Sequence, residues 1–427
     1  MIRNWMSNQV ARNAGWILFG KAARMVVNLL VGVLTARYLG PSNLGLLGYA
    51  AAYTGFFSSF CTLGLHSILV KEFMDRPGGE GEILGTSLVF RAGSRGASAV
   101  VILCVVWIAD RGDPTVVAVA GLCCLGMVFQ VFEVFGYWFQ SRFQSKVTAG
   151  VSLLAYLIAA GCKVIGLAKG KSVEWFAFSL ALEHICAAVF LVIAYRRHHG
   201  SRTRVSLRYG RELLNKSKHF IVSGLMVAVY AQTDKIMLRQ MISDAEIGYY
   251  SAAVSISGVW CFVLTAIIDS MYPEITKAFH TDEGLFRRRN KQLYSAVFYL
   301  CVGVSLVLTL LADPIISMIY GEAYLPAAKP LRVVTWYTGF AYLGVARNAW
   351  VVCKGAQRSL KYVYAAAAGA NVALNLVLIP VWGAEGAAIA SLMAQVVTTV
   401  IAPFFIRELR ENAGMMIDAI RLKWNEE

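Results

Sequence analysis

The sequence predicts an all-α membrane protein that crosses the bilayer about twelve times. First, 58% of its 427 residues are hydrophobic and 15% are charged, whereas soluble chains carry about 25% charged residues. Second, apolar runs of about 20 residues, the length that a helix needs to cross lipid, recur along almost the whole chain. Third, the longest polar connection, between residues 195 and 219, is too short to form a domain with its own core.

Breaks at glycine, proline and charge clusters divide the apolar runs into twelve predicted spans. The first six cover residues 14–36, 46–70, 84–108, 115–139, 147–168 and 173–195. The second six cover residues 219–241, 247–272, 292–319, 331–353, 360–382 and 384–406. We therefore expect an N-terminal six-helix bundle (1–195), a basic linker (196–218), a C-terminal six-helix bundle (219–406) and a tail (407–427).

The distribution of positive charge predicts the orientation in the membrane. If the N-terminus is cytoplasmic, the inner segments hold 26 of the 40 lysines and arginines, and the outer segments hold 7. Because cytoplasmic loops carry an excess of these residues, we expect both termini, the linker and the tail in the cytoplasm. The net charge of +15 then reflects this orientation and contact with anionic headgroups rather than nucleic-acid binding.

A weak internal repeat relates the two halves. The segment "YLGPSNLGLLGYAAA" follows the first predicted span, and "MISDAEIGYYSAAVS" follows the seventh. Setting Gly45 against Gly248 also aligns Leu44 with Ile247. Since each half has an even number of spans, both halves run in the same direction, as in many transporters whose substrate path lies between two related halves.

Ionisable residues inside the predicted spans carry most of the functional information. They are the cations Lys21, Arg24, Arg91, Arg95, Lys163, Lys235 and Arg347 and the carboxylates Glu133, Glu183, Asp234 and Asp269. Each would cost about 2.5–3.5 kcal/mol if it faced lipid, so we expect these groups to face a cavity, one another or the headgroups. Arg91 and Lys21 could extend to the headgroups, whereas Arg95 and Arg24 lie deeper. Because the cations outnumber the carboxylates, we expect a lumen that attracts a negatively charged substrate.

The four carboxylates allow two interpretations. Glu133, Glu183, Asp234 and Asp269 either form fixed salt bridges or bind a coupling proton or ion. His184, next to Glu183, is expected to be a packed polar residue rather than a proton relay.

Soluble-enzyme chemistry has no support in the sequence. It contains no phosphate-binding GxxxxGK[ST], no HExxH and no CxxC motif. The nine cysteines lie inside apolar runs, where they serve as small core residues. We therefore expect no enzyme activity, no ATPase, no cofactor and no metal site.

Four ordered segments resemble one transporter family. "ARYLGPSNLGLLGYA" (36–50) is similar to the first-loop signature of polysaccharide-export flippases of the multidrug/oligosaccharidyl-lipid/polysaccharide superfamily. "FGYWFQSRFQSK" (135–146), "QTDKIMLRQMISDAEIGYYSAA" (232–253) and "NVALNLVLIPVWGAEGAAIAS" (371–391) resemble later signatures of that family. The chain is most similar to the Wzx-type O-antigen and exopolysaccharide flippases.

The resemblance implies a fold, a substrate and a direction of transport. Two six-helix bundles would surround a central cavity and work by alternating access. The substrate would be an undecaprenyl-pyrophosphate-linked oligosaccharide, moved from the inner to the outer leaflet of the bacterial inner membrane for lipopolysaccharide O-antigen or exopolysaccharide synthesis. Its pyrophosphate would supply the anion for the basic residues, since arginine binds phosphate through forked hydrogen bonds. The candidate partners are Arg24, Arg91, Arg95, Arg347, Lys21 and Lys235.

Two other functions remain as alternatives. A drug/cation antiporter of the same superfamily would need an acidic cavity, whereas the charges within these spans are net basic. An integral-membrane glycan polymerase would usually carry a long outer loop with catalytic residues, whereas the predicted outer connections are short. The linker could also dock other polysaccharide-assembly proteins.

Overall fold

A computed structural model describes residues 2–76, 78–198 and 200–423, except for the side chains of residues 2–23, 26, 67 and 219. Within these ranges every regular element is helical, which confirms the predicted all-α class. In chain order the helices are α1 (Ile2–Phe56), α2 (Ser58–Thr62), α3 (His66–Asp75), α4 (Glu80–Ala109), α5 (Pro114–Phe129), α6 (Glu133–Ser141), α7 (Ser145–Ala168), α8 (Val173–Arg197), α9 (Leu207–Met241), α10 (Asp244–Gly258), α11 (Cys261–Phe279), α12 (Glu283–Leu310), α13 (Ala312–Tyr320), α14 (Ala328–Cys353), α15 (Leu360–Val396), α16 (Ala402–Phe405) and α17 (Arg410–Ile420).

Several of these helices are long and apolar enough to cross a membrane. In the described part of the chain there are seven such helices, or eight if the bent pair α10 and α11 counts as one span. One of the seven, Ala356–Phe405, is 50 residues long. At 1.5 Å per residue that length suffices for two crossings of a hydrocarbon core about 30 Å thick, and the helix is broken at Gly383 (φ 54°, ψ −129°). It therefore accommodates both predicted spans 360–382 and 384–406.

The second predicted span, 46–70, is not one continuous helix. Helix α1 passes through a break at Gly40 (φ 72°, ψ 173°) and ends at Phe56. The short helix α2 follows, and then Leu63 and Gly64 adopt left-handed backbone angles. Because a left-handed residue ends helical hydrogen bonding, residues 66–70 belong to the separate helix α3.

The helices form two compact units. The N-terminal unit comprises residues 1–39 and 50–225, and the C-terminal unit comprises residues 40–49 and 226–427. The division at residue 225 falls inside α9, because this helix begins at Leu207 and runs without a break through the end of the expected linker.

The core of the N-terminal unit is an aromatic cluster between α3, α4, α6, α8 and the start of α9. Trp138 and Phe139 on α6 pack there with Leu69, Tyr195 and Leu213. Nearby, the Glu72 carboxylate accepts hydrogen bonds from Lys216 Nζ (2.8 Å) and the Tyr209 hydroxyl (2.9 Å). Burial by itself would raise the pKa of Glu72, but these two partners outweigh it and hold the pKa below its ordinary value of 4.5. The charged carboxylate thus ties the start of α9 to α3.

The core of the C-terminal unit lies between α11, α12, α14 and α17. Phe286, Trp350 and Met416 are buried in it. The expected tail is a docked helix, because carbonyl groups at the end of α17 accept hydrogen bonds from the Ser295 hydroxyl (2.8 Å) and the Tyr299 hydroxyl (2.7 Å) on α12.

The two glycines aligned by the internal repeat lie against each other in the C-terminal unit. A Cβ atom on Gly45 would lie 1.8 Å from the carbonyl oxygen of Asp244, and one on Gly248 would lie 2.1 Å from that of Pro41. Asp244 and Pro41 each precede the aligned glycine by four residues, so the contact is reciprocal. Both glycines are therefore required by close approach of two helix backbones.

This crossing makes a stability prediction. Gly45→Ala should destabilise the C-terminal unit by about 1–3 kcal/mol, because backbone atoms must move to admit the methyl group. Gly258→Ala, in the same unit and on the helix that carries Gly248, is the matched control, since no atom lies within 4 Å of the added Cβ. Thermal unfolding of the two purified variants measures the difference. Equal stability of both variants would contradict the close crossing.

Candidate functional site

Two of the predicted arginines occupy the buried face of α4. Residues 84, 87, 91, 95, 98, 102 and 106 of this helix are buried, at spacings of three and four, so they form the stripe that a helix turns toward its neighbours. Arg91 and Arg95 take two positions of that stripe, and each side chain is only 1% exposed. The arrangement places two positive charges inside the N-terminal unit.

Arg95 is fixed by the end of α5. Its Nη1 donates to the carbonyl of Met127 (2.5 Å) and to Oε1 of Gln130 (3.0 Å). Met127 lies in the last turn of α5, where carbonyl groups lack helical partners and the helix dipole favours a cation. Nε2 of Gln130 lies 3.0 Å from Nε2 of His184. Because the amide oxygen of Gln130 faces the guanidinium, its NH₂ group donates to His184, whose Nε2 is therefore the acceptor.

Arg91 is held less completely. Its guanidinium lies over the ring of Tyr137 (5.5 Å to the centroid), and its Nη2 lies 3.5 Å from Oε2 of Glu133. The same carboxylate oxygen lies 3.9 Å from Nη2 of Arg95. The predicted carboxylate Glu133 is thus shared between two arginines, and its side chain is 44% exposed.

Arg95 lines a cavity of about 320 Å³ in the N-terminal unit. The cavity is large enough for a small polar ligand group, since ligand pockets begin at about 300 Å³. Arg95, Gln130 and His184 supply its charged and strongly polar wall, while Thr54, Ser58 and Thr62 are among its hydroxyl groups. The sequence prediction for Arg95 as a cavity residue therefore has a structural counterpart.

The structure brings Arg24 to a carboxylate rather than to this cavity. Its Nη2 lies 2.5 Å from Oε1 of Glu183, and its guanidinium lies over the ring of Tyr156 (5.1 Å). Arg24 is about half-exposed, while Glu183 is buried. Of the two interpretations open for Glu183, the geometry agrees with the salt bridge. The side chain of Lys21 lies outside the described residues.

Arg347 is buried in the core of the C-terminal unit, where it satisfies a backbone carbonyl. Residues 397–401 form a π-helical turn in which the N–H of Ala402 donates to the carbonyl of Val397, five residues back. In that register the carbonyl of Thr398 faces Pro403, which has no N–H. Nη1 of Arg347 donates to it instead (2.9 Å). Arg347, 1% exposed, thus has a structural partner.

A buried polar network surrounds Asp234 in the C-terminal unit. Its carboxylate accepts hydrogen bonds from the Tyr250 hydroxyl (2.5 Å), the Ser391 hydroxyl (3.2 Å) and the N–H of Lys235 (2.8 Å). Asn371 donates to Ser391 (3.4 Å) and accepts from Asn375 (3.0 Å). Asp234 is 2% exposed, and no ion pair in the described ranges includes it. The side chain of Lys235 is partly buried, and that of Asp269 is exposed.

Several residues of these two sites were not singled out from the sequence. Gln130 and His184 lie in apolar runs, and His184 was expected to be only a packed polar residue. Asn371 and Asn375, four residues apart in "NVALN", did carry a signal, because two amides on one face of an apolar helix must find polar partners.

Two solved structures have a fold similar to that of this chain. The fold is similar to that of the lipid II flippase MurJ in an inward closed conformation, with a TM-score of 0.69 at 11% identity over 96% of this chain and 93% of that chain. It is also similar to an inward-facing multidrug resistance MATE family transporter, with a TM-score of 0.70 at 14% identity over 92% of this chain and 96% of that chain. The chain therefore has the helical fold that these two solved transporters share.

Sequence comparison identifies the family of this chain. The chain belongs to the polysaccharide biosynthesis protein family, whose model matches residues 34–329. It is 20% identical to the "Probable low-salt glycan biosynthesis flippase" of Haloferax volcanii over 87% of this chain and 78% of that protein. A match to the "Putative O-antigen transporter" of Salmonella typhi, at 26% identity, covers 19% of each chain.

The Arg347 contact generates a prediction that can be tested by a double-mutant cycle. Arg347→Met should cost about 1–3 kcal/mol of stability, because it leaves the Thr398 carbonyl unpaired. In a Pro403→Ala background the new N–H can reach that carbonyl, so the same substitution should cost less. Denaturant unfolding of the four proteins measures the coupling. A cost that is the same in both backgrounds would rule out the proposed role of Arg347.

Proposed function

We propose that this protein is a flippase for undecaprenyl-pyrophosphate-linked oligosaccharide repeat units. It moves them from the inner to the outer leaflet of the bacterial inner membrane by alternating access, for O-antigen or exopolysaccharide synthesis. Family membership and the relatives named above support transport of a lipid-linked glycan. The proposed topology places both termini in the cytoplasm, in agreement with the excess of positive charge on one side.

The observation that carries the proposal is the pair of buried arginines on α4, of which Arg95 lines a cavity. Two guanidinium groups at 1% exposure are costly at bilayer depth unless they meet anions or dipoles. Their one carboxylate neighbour in the described chain, Glu133, cannot neutralise both. A pyrophosphate has the charge and the acceptor oxygens that two forked donors require.

The basic character of the site also weighs against the alternatives. A cavity that binds cationic drugs should present carboxylates, whereas the charged wall here is Arg95. In the proposed flippase Arg91 and Arg95 are the main anion-binding residues. Arg24, with a carboxylate partner, and Lys21 and Lys235 stay candidates for the rest of the path. Arg347 is the weakest candidate because its Nη1 is engaged by a backbone carbonyl.

We further propose that Asp234 couples transport to an ion gradient. The groups that donate hydrogen bonds to the Asp234 carboxylate are neutral, while the neighbouring Lys235 adds positive charge. Such a site can hold a proton or a hard cation, for which carboxylate, amide and hydroxyl oxygens are suitable ligands. Oδ1 of Asn375, at the far end of the network, has no hydrogen-bond partner in the described residues and adds another oxygen. Glu133, Glu183 and Asp269 are less suitable, because the first two face arginines and the third is exposed.

Glycan delivery tests the anion-binding role. Arg95→Gln should lower the amount of polysaccharide at the cell surface about tenfold or more at equal protein abundance, because a charge-assisted hydrogen bond contributes about 1.5–3 kcal/mol. Lipid-linked repeat units should then accumulate in the inner leaflet. Arg332→Gln, which removes an exposed arginine paired with Asp313, is the charge-matched control. Normal delivery by the Arg95 variant would refute the proposed function.

The coupling role has its own test. Asp234→Asn should slow delivery and abolish its response to an imposed proton or sodium gradient in membrane vesicles, because a neutral amide can neither release a proton nor balance a cation. Ser391→Ala, which removes one hydrogen bond to the carboxylate, should reduce the rate but keep the response. An unchanged gradient response in Asp234→Asn would assign coupling to another residue.

A further inference from the structure

Glu133 contacts two buried arginines at long range. Its Oε2 lies 3.5 Å from Arg91 and 3.9 Å from Arg95. In the same unit Glu183 and Glu80 approach half-exposed arginines to 2.5 and 2.6 Å, and the half-exposed Arg76 lies 3.4 Å from Glu72. A direct charge-assisted hydrogen bond has a length of about 2.7–2.9 Å, so Glu133 makes only loose contacts with both guanidinium groups.

The two arginines have hydrogen-bonding capacity that Glu133 does not fill. Nε and Nη1 of Arg91 and Nε of Arg95 are buried and have no hydrogen-bond partner in the described chain. Two cations share one carboxylate, so a net positive charge remains inside the unit. Unfilled donors and unbalanced charge both disfavour the ligand-free state.

Glu133 is also placed where it can leave. It is the first residue of α6, directly after the 3₁₀ turn Gln130–Phe132 that follows α5. The side chain of Glu133 is 44% exposed, so the described chain encloses it only in part. Moving its carboxylate away from the arginines therefore costs less than moving a fully buried carboxylate. Arg95, by contrast, is anchored by Met127 and Gln130 and stays in place.

We infer that Glu133 is a resident counter-ion that the diphosphate of the substrate displaces. This inference rests on the proposed function and adds a release step to it. The incoming diphosphate takes the Nη2 groups of Arg91 and Arg95 and the free donors of Arg91, and the Glu133 carboxylate turns away from the two arginines. When the substrate leaves, Glu133 returns to the arginines. Competition by the carboxylate keeps the buried cations from trapping the substrate.

Binding of inorganic pyrophosphate to purified protein tests the exchange. The protein is placed in nanodiscs of phosphatidylcholine, and its thermal unfolding is followed as pyrophosphate is added. Glu133→Gln should unfold at a lower temperature than the wild type without ligand, because the two arginines then lack a counter-ion. It should bind pyrophosphate about tenfold more tightly, because the competing carboxylate is gone. Binding no tighter than that of the wild type would overturn the inference.

Two variants serve as comparisons. Glu80, the first residue of α4, forms an ion pair with Arg142. Glu80→Gln removes this carboxylate and leaves Arg91, Arg95 and Glu133 unchanged. It should lose stability but keep the pyrophosphate response of the wild type. Arg95→Gln should abolish the response. If Glu133→Gln does not fold, Glu133→Asp replaces it, since its shorter carboxylate competes less and should give intermediate affinity.

Measurement of glycan delivery distinguishes a counter-ion role of Glu133 from a purely structural role. Glu133→Gln should deliver less glycan than the wild type although it binds pyrophosphate more tightly, because release becomes slow. A merely structural role would weaken binding and delivery together, and that result would overturn the inference.

Two further results distinguish a lipid phosphate from the substrate diphosphate and test the proposed flippase function independently of the inference. If phosphatidylglycerol in the nanodisc alone stabilises Glu133→Gln as much as pyrophosphate does, the occupant is a lipid headgroup and the substrate diphosphate is excluded. If Arg95→Gln delivers glycan normally, the proposed flippase function fails, whatever the order of pyrophosphate affinities.

Discussion

Burial of two guanidinium groups in one stripe of α4 is the constraint from which the surroundings of the candidate site follow. At core positions each N–H needs an acceptor, since lipid and apolar side chains offer none. The chain supplies acceptors by placing the Met127 carbonyl in the last turn of α5 and by following α5 with a 3₁₀ turn that carries Gln130. The break between α5 and α6 is thus part of the site rather than an irregularity of a membrane span.

The C-terminal unit meets the same constraint in a different way. There the buried guanidinium of Arg347 donates to the Thr398 carbonyl, which Pro403 leaves without a backbone partner. Arg347 therefore stabilises the fold. The Asp234 carboxyl group is matched to two hydroxyl side chains and to the N–H of Lys235. In the described residues the candidate site on α4 therefore keeps unpaired N–H donors on Arg91 and Arg95, and the network around Asp234 keeps an unpaired oxygen on Asn375. The proposed anionic substrate and the proposed coupling cation are complementary to these two features.

Features that depend on a single helix could be predicted from the sequence. The apolar runs, the spacing of Arg91 and Arg95 and the alignment of Gly45 with Gly248 were all readable, because each depends on local periodicity or on one repeat. Side-chain contacts between helices that are distant in the sequence could not be predicted. The contact of Arg24 with Glu183 joins residues 159 positions apart, and nothing in either span distinguishes that pairing from others. The repeat in the sequence aligned Gly45 with Gly248, but only the structure shows that the two helix backbones contact each other at these glycines.

The loose coordination of Arg91 and Arg95 bears on how a charged group can pass through a protein rather than merely bind to it. A site that satisfied every donor with a fixed carboxylate would repel a diphosphate, while a site with no carboxylate would bind the diphosphate and retain it. Passage requires binding that is favourable enough for entry and weak enough for exit. One exposed carboxylate shared by two buried arginines lies between these limits, because it lowers the gain from substrate binding by the amount of its own interaction. In the proposed mechanism the long distances at Glu133 thus serve release of the diphosphate, since shorter contacts would compete with it more strongly.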